Sequence, residues 1–165
     1  MKNNIYILTF LFFSFNLHSQ TEKETITFLN SMLTVYVTPM TAPGGADQKT
    51  VFKIRTEIDP SSNQKILVFE LSVDQKLFSV YKVHGKHING IISDPDPTKY
   101  TYLELVSAEG LILRRWADEN EEVFSSEIRI PLINSVKEVE QIKKALTHLV
   151  KLNGAVLPNT NLFKD

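Results

Sequence analysis

The sequence predicts an α+β domain in which about seven antiparallel strands form a barrel or a strongly curved sheet, with an N-terminal helix before them and a C-terminal capping helix after them. Two segments with helical spacing of apolar residues, 21–36 and 135–154, lie at its ends. Between them, apolar and polar residues alternate in short runs separated by turn residues. The chain contains no cysteine, so an apolar core rather than disulfides must hold it together.

The first twenty residues are typical of a secretory signal peptide. Lys2 provides a positive start, residues 5–15 are almost entirely apolar, and residues 17–20 form a polar exit. We therefore expect residues 1–20 to be removed and the protein to be exported, to a periplasm or outside the cell. Residues 21–165 should form a single globular domain, with no stable membrane span, because no later stretch approaches the ~20 apolar residues that a spanning helix needs.

The first helix is predicted over residues 21–36. Thr21 and Glu24 have the spacing of a capping box. Its apolar stripe is Ile26, Leu29, Leu33 and Tyr36, and the residues expected to face away are Thr27, Asn30, Ser31 and Thr34. Pro39 ends the helix. Residues 39–50, with two prolines and Gly44-Gly45, are expected to be a structureless loop.

Seven strands follow, because the apolar period changes from helical spacing to two. They are predicted at residues 51–58, 65–73, 77–83, 88–92, 99–106, 111–117 and 123–130. In the sixth strand, alternation is expected to turn Leu111 and Leu113 inward. The turns between the strands give an antiparallel meander.

The last helix is predicted over residues 135–154. Ser135 and Glu138 form a second capping box, and Gly154 is placed to end the helix in a left-handed conformation. Its apolar stripe is Val139, Ile142, Leu146, Leu149 and Val150, and Lys137, Lys144 and Lys151 lie on the far side. We expect the stripe to be buried on a sheet face.

Residues 142–154, IKKALTHLVKLNG, resemble the closing helix of uncharacterised small exported proteins of Gram-negative bacteria. Seven antiparallel strands followed by a capping helix is also the element order of a pleckstrin-homology-like barrel. The resemblance implies an exported barrel-like protein, and it implies no activity.

Charge and motifs exclude several functions. With 18 basic and 19 acidic residues, the chain lacks the dense basic surface of a nucleic-acid binder. It has no Gly-x-Ser-x-Gly elbow and no glycine-rich phosphate loop. His84 and His87 stand near Asp94 and Asp96, which is a possible but poorly spaced set of metal ligands. We expect no catalytic residues, no cofactor and no metal.

An aromatic patch is the most suggestive surface feature. Tyr100 and Tyr102 are expected to face outward, with Arg114 and Trp116 on the same outer side, and these residue types are enriched at binding hot spots. The alternative, which we favour, is that the first helix covers this patch.

The function predicted from the sequence is that of an exported, non-catalytic binding domain for an unknown protein, peptide or small apolar ligand. One alternative is a structural or accessory protein of the cell envelope. Another is a hydrolase whose site is assembled from scattered carboxylates and histidines.

Overall fold

Two helices and a series of antiparallel strands make up the computed structural model, which describes residues 21–41, 47–95, 100–119, 121–133 and 136–158. The α+β class predicted from the sequence is confirmed. The predicted barrel is not, because the described strands form separate sheets. The predicted signal peptide lies outside the described residues. No helix among the described residues is both long and apolar enough to cross a membrane.

Helix α1 (Glu22–Tyr36) confirms the first predicted helix. The Thr21 hydroxyl accepts a hydrogen bond from the Glu24 backbone, and the Glu24 carboxylate accepts one from the Thr21 backbone, so the capping box is formed. Leu29 and Leu33 are fully buried. The chain then extends, and the backbone N–H of Thr38 donates to the carbonyl of Pro131 at 3.0 Å.

The strands agree with most of the predicted ones. They are β1 (Met40–Thr41), β2 (Asp47–Gln48), β3 (Thr50–Ile58), β4 (Lys65–Val73), β5 (Lys76–Val83), β6 (Gly90–Pro95), β7 (Tyr100–Val106), β8 (Ile112–Trp116), β9 (Glu122–Ser125) and β10 (Glu127–Ile133). The segment expected to be structureless, 39–50, instead carries β1 and β2, which pair with each other.

The described strands form one sheet of five in the order β3-β4-β5-β8-β9, one of three in the order β10-β7-β6, and the β1-β2 pair. All of these pairings are antiparallel. The connection from β4 to β5 is a tight turn in which Asp74 and Gln75 both have positive φ, as expected for a two-residue hairpin turn.

The seventh predicted strand, 123–130, is wrong as a single element. It divides at Ser126 into β9 and β10, which belong to different sheets. The Ser125 hydroxyl bridges the break, donating to the Glu127 carbonyl and accepting from the Glu127 backbone N–H. Alternation continues across the break, so the period gives no sign of it.

Helix α2 (Val136–Leu152) confirms the second predicted helix, although Ser135 lies outside the described residues. Gly154 has φ +91°, and the Ala155 backbone N–H donates to the Val150 carbonyl, closing the helix as predicted. The predicted apolar stripe is buried in one core cluster with α1 and residues of both larger sheets. The helix therefore packs against α1 as well as against strands.

Candidate functional site

A pocket of about 500 Å³ lies between residues of the five-stranded sheet, residues of the three-stranded sheet and the segment that follows α1. It is lined by Thr38, Pro39, Thr50, Phe52, Leu71, Phe78, Tyr102, Arg114, Trp116, Arg129 and Pro131. Most of these side chains are apolar or aromatic. The volume is within the range of roughly 300–1,000 Å³ that is usual for small-molecule sites.

Arg114 and Trp116 form one wall of the pocket. In the register of β5 and β8, Tyr81 is opposite Arg114 and Ser79 is opposite Trp116. Tyr81 and Ser79 are both buried, so Arg114 and Trp116 lie on the core-facing side of the sheet. The guanidinium carbon of Arg114 is 3.6 Å from the centre of a Trp116 ring and 5.2 Å from that of Tyr81, which are cation–π distances.

The predicted outward orientation of Arg114 and Trp116 is therefore wrong. Ile112 is fully buried, whereas Leu113 is only partly buried, so the strand has the opposite phase to the one predicted. Two adjacent apolar residues fit either phase of a strand, and pairing with β5 decides between them.

A β-bulge places Phe78 against Trp116. The register between β4 and β5 shifts between Leu71 and Ser72, which leaves Phe78 unpaired in the ladder. Its ring lies 5.1 Å from that of Trp116 at 90°, an edge-to-face arrangement that aromatic pairs favour. Trp116 is thus held between an aromatic edge and a cation.

The opposite wall comes from the three-stranded sheet. Tyr102 of β7 is paired with Pro131 of β10, and both line the pocket. Arg129 also lines it, but its Nε lies 2.9 Å from a carboxylate oxygen of Glu104 and 2.9 Å from one of Glu127. The charge of Arg129 is therefore already compensated.

Two buried polar atoms of the pocket residues have no hydrogen-bond partner among the described residues. They are Nε of Arg114 and Oγ1 of Thr38. Buried polar groups are normally paired, and leaving one unpaired costs about 1–3 kcal/mol, more for a charged group. Both atoms belong to residues that line the pocket, and a polar group of a ligand that reached them would supply the missing partner.

The structure brings three of the four predicted patch residues together: Tyr102, Arg114 and Trp116 line this one pocket. The side chain of Tyr100 lies outside the described part of the chain. The expectation that the first helix covers the patch is wrong, because α1 packs on β3 and α2 and only Thr38 and Pro39, which follow it, reach the pocket.

The residues of the pocket floor cannot be recognised from the sequence pattern. Phe52 and Leu71 look like ordinary inward residues of two strands, and both are almost fully buried. From the sequence, Thr38 is expected only to mark the end of the first helix. None of these residues carries a motif, because their role depends on contacts between distant parts of the chain.

The histidines predicted as possible metal ligands lie elsewhere. Nε2 of His84 is 3.4 Å from Asp59, Nδ1 of His84 is 3.3 Å from the Lys65 carbonyl, and the His87 ring is 5.4 Å from that of His84. Burial, together with the nearby charge of His84, lowers the pKa of His87. Among the described residues, no three His, Cys, Asp or Glu side chains are grouped to hold a metal ion, and Asp96 lies outside them.

A second cleft, of about 690 Å³, lies between the edge strand β6 and α2. Its residues include Ile91, Ile92, Lys143, Lys144 and Lys151. None of the buried unpaired side-chain atoms among the described residues belongs to this cleft. The aromatic pocket is therefore the stronger candidate for a ligand site.

Comparison with known proteins leaves the pocket as the main guide to function. No protein-family profile matches the chain, and no curated protein or solved structure does so either.

Proposed function

We propose that this protein is an exported, non-catalytic binding domain whose aromatic pocket takes up a small molecule with an apolar body. The observation that carries the proposal is the cavity of about 500 Å³ with aromatic walls and two unpaired buried polar atoms. Ligand sites typically combine apolar walls with a few such polar groups.

Binding is favoured over hydrolysis by the chemistry of the lining. The described residues that line the pocket include no carboxylate, histidine or serine to act as acid, base or nucleophile. At the His84 cluster, both ring nitrogens of His84 already face protein oxygens, so no serine hydroxyl is activated there. Export is supported by the signal-peptide pattern of residues 1–20.

A neutral fluorescent probe tests the binding function. N-phenyl-1-naphthylamine brightens in apolar sites and carries no charge that would select Arg114. We expect it to bind the purified protein with saturable emission, and Trp116→Ala to weaken its affinity by about tenfold, because one aromatic wall is lost.

Phe124→Ala is the matched control, since Phe124 is in the same sheet, lies outside the pocket and is 71% exposed. Its affinity for the probe should equal that of the unchanged protein. Native mass spectrometry of the same preparation reveals any co-purified molecule and the mature N-terminus. Failure to bind the probe, with no co-purified molecule, would count against the binding function and favour the structural envelope role.

A further inference from the structure

Arg114 is the one pocket cation, among the described residues, whose charge has no carboxylate beside it. Arg129 is compensated by Glu104 and Glu127, whereas no salt bridge of Arg114 is formed in the described part of the chain. Stacking on Trp116 holds the guanidinium in place without neutralising it. An uncompensated, partly buried charge is costly and favours binding of an opposite charge.

We propose that the ligand carries a carboxylate that binds to Nε–H of Arg114, with an apolar body lying against Trp116, Phe78 and Tyr102. This rests on the proposed binding function and names its ligand class. The Nε–H and a neighbouring Nη–H of arginine form a planar fork that matches a carboxylate, and such charge-assisted hydrogen bonds are the strong ones. The hydroxyl of Thr38 gives the ligand a second polar contact in the same cavity.

The charges around the pocket favour a monoanion. Arg114 has no carboxylate partner among the described residues and can pair with one negative charge, so a dianionic phosphate would leave its second charge unpaired. The second charge would also stand near Glu104 and Glu127, the carboxylates that hold Arg129 at the pocket wall. A carboxylate on an aromatic or branched apolar body fits both the charge and the walls. The carboxylate can belong to a small organic acid or to the C-terminus of a peptide that ends in an apolar residue.

Matched acids and amides test the proposal by isothermal titration calorimetry. The first pair is 2-naphthylacetic acid and 2-naphthylacetamide, and the second is acetyl-Gly-Gly-Phe with a free or an amidated C-terminus. We expect the acid of at least one pair to bind about tenfold or more tightly than its amide at pH 7, since one charge-assisted bond is gained. The pair with the larger ratio of acid affinity to amide affinity shows whether the carboxylate belongs to a small organic acid or to a peptide C-terminus.

Substitution of Arg114 separates charge from packing. Arg114→Met should reduce the affinity for the acid to that for the amide, and its affinity for the amide should stay within about twofold of that of the unchanged protein. Arg114→Lys should retain part of the preference for the acid over the amide. Arg115→Met is the matched control, since Arg115 lies on the opposite face of the same strand, is exposed and does not line the pocket. If Arg114→Met does not fold, as judged by circular dichroism, the comparison of acid with amide on the unchanged protein still decides.

Equal affinity for acid and amide in both pairs would overturn the carboxylate proposal and leave the binding function intact, provided that the neutral probe still binds. If the neutral probe and all four compounds fail to bind, the binding function itself is wrong. A preference for the acid that survives Arg114→Met would also overturn the proposal, because another group would then bind the carboxylate.

Discussion

Asn30 completes the hydrogen bonds of an edge strand with its side chain. Its Nδ2 donates to the Ile54 carbonyl at 2.9 Å, and the Ile54 backbone N–H donates to its Oδ1 at 2.7 Å. Strand β3 is at the edge of the five-stranded sheet, so this amide takes the place of a neighbouring strand at that residue. The sequence interpretation placed Asn30 on the outward side of α1, because a polar residue in an amphipathic helix normally faces solvent.

Asn30→Ala should lower the free energy of unfolding by about 1–3 kcal/mol, because it leaves the Ile54 N–H and carbonyl without partners. Urea unfolding measures the change. Ser31→Ala is the control on the same helix, since Ser31 is exposed and bonds only locally, and it should change stability by less than about 0.5 kcal/mol. Equal effects of the two substitutions would show that the amide contributes little.

The carboxylate of Asp59 makes the stability of the protein depend on pH. Hydrogen bonds from the Ser62 hydroxyl and from the backbone and hydroxyl of Ser61 lower the pKa of Asp59 from 3.8 to about 2. The folded state thus favours the charged form, which stabilises the protein at all pH values above 3.8. That stabilisation is lost as the pH falls from about 4 to about 2.

Asp59→Ala should therefore be less stable than the unchanged protein at pH 5, and the difference should shrink as the pH approaches 2. Urea unfolding at a series of pH values measures it. Asp118→Ala serves as the control, because Asp118 is exposed and its side chain accepts no hydrogen bond from the residues that the structure describes. A difference that stays constant from pH 5 to pH 2 would contradict the role given to the ionised carboxylate.

At the scale of elements, the two helices are stabilised by burial of their apolar stripes. The stripe of α2 lies in the same core cluster as Leu29 and Leu33 of α1 and Ile128 and Ile130 of β10. Gly85, in the 3₁₀ turn before β6, packs so closely on the end of α2 that an added Cβ would lie 2.2 Å from the Asn153 carbonyl oxygen. The packed face of α2 and its C-terminal end are thus determined by tertiary contacts.

Leu146→Ala should lower the free energy of unfolding by ~2–5 kcal/mol, because Leu146 is fully buried and its removal leaves a cavity. Leu152→Ala on the same helix removes the same atoms from a side chain that is 48% exposed. It should lower the free energy of unfolding by much less than Leu146→Ala does. A loss below about 1 kcal/mol for Leu146→Ala would contradict the observed packing.

At the scale of the whole molecule, local patterns could be predicted and long-range ones could not. The capping box of Thr21 and Glu24, the bounds of β4 and the closing Gly154 all depend on residues within a few positions of each other. Barrel closure, the division at Ser126 and the phase of β8 depend on which strands pair, and alternation does not specify partners.

The same distinction between local and long-range information applies to the candidate site. Residue type alone indicated Tyr102, Arg114 and Trp116, because tyrosine, tryptophan and arginine are enriched at binding hot spots. The prediction that they share a surface rests on a wrong strand phase, and the pocket depends on long-range contacts that bring residues of the two sheets together. Phe52 and Leu71 of its floor could not be predicted, since a strand residue at a core and one at a cavity have the same pattern.

The separation into sheets has a mechanical consequence for the pocket. Its walls belong to sheets whose described strands share no ladder, so their spacing depends mainly on side-chain packing, together with the backbone bond from Thr38 to Pro131. A slight widening would cost dispersion contacts, each of only about 0.1–0.2 kcal/mol, and would break no interstrand hydrogen bond. The width of a bound ligand is therefore only loosely restricted. Its charged group, in contrast, would contact a guanidinium that is stacked on Trp116.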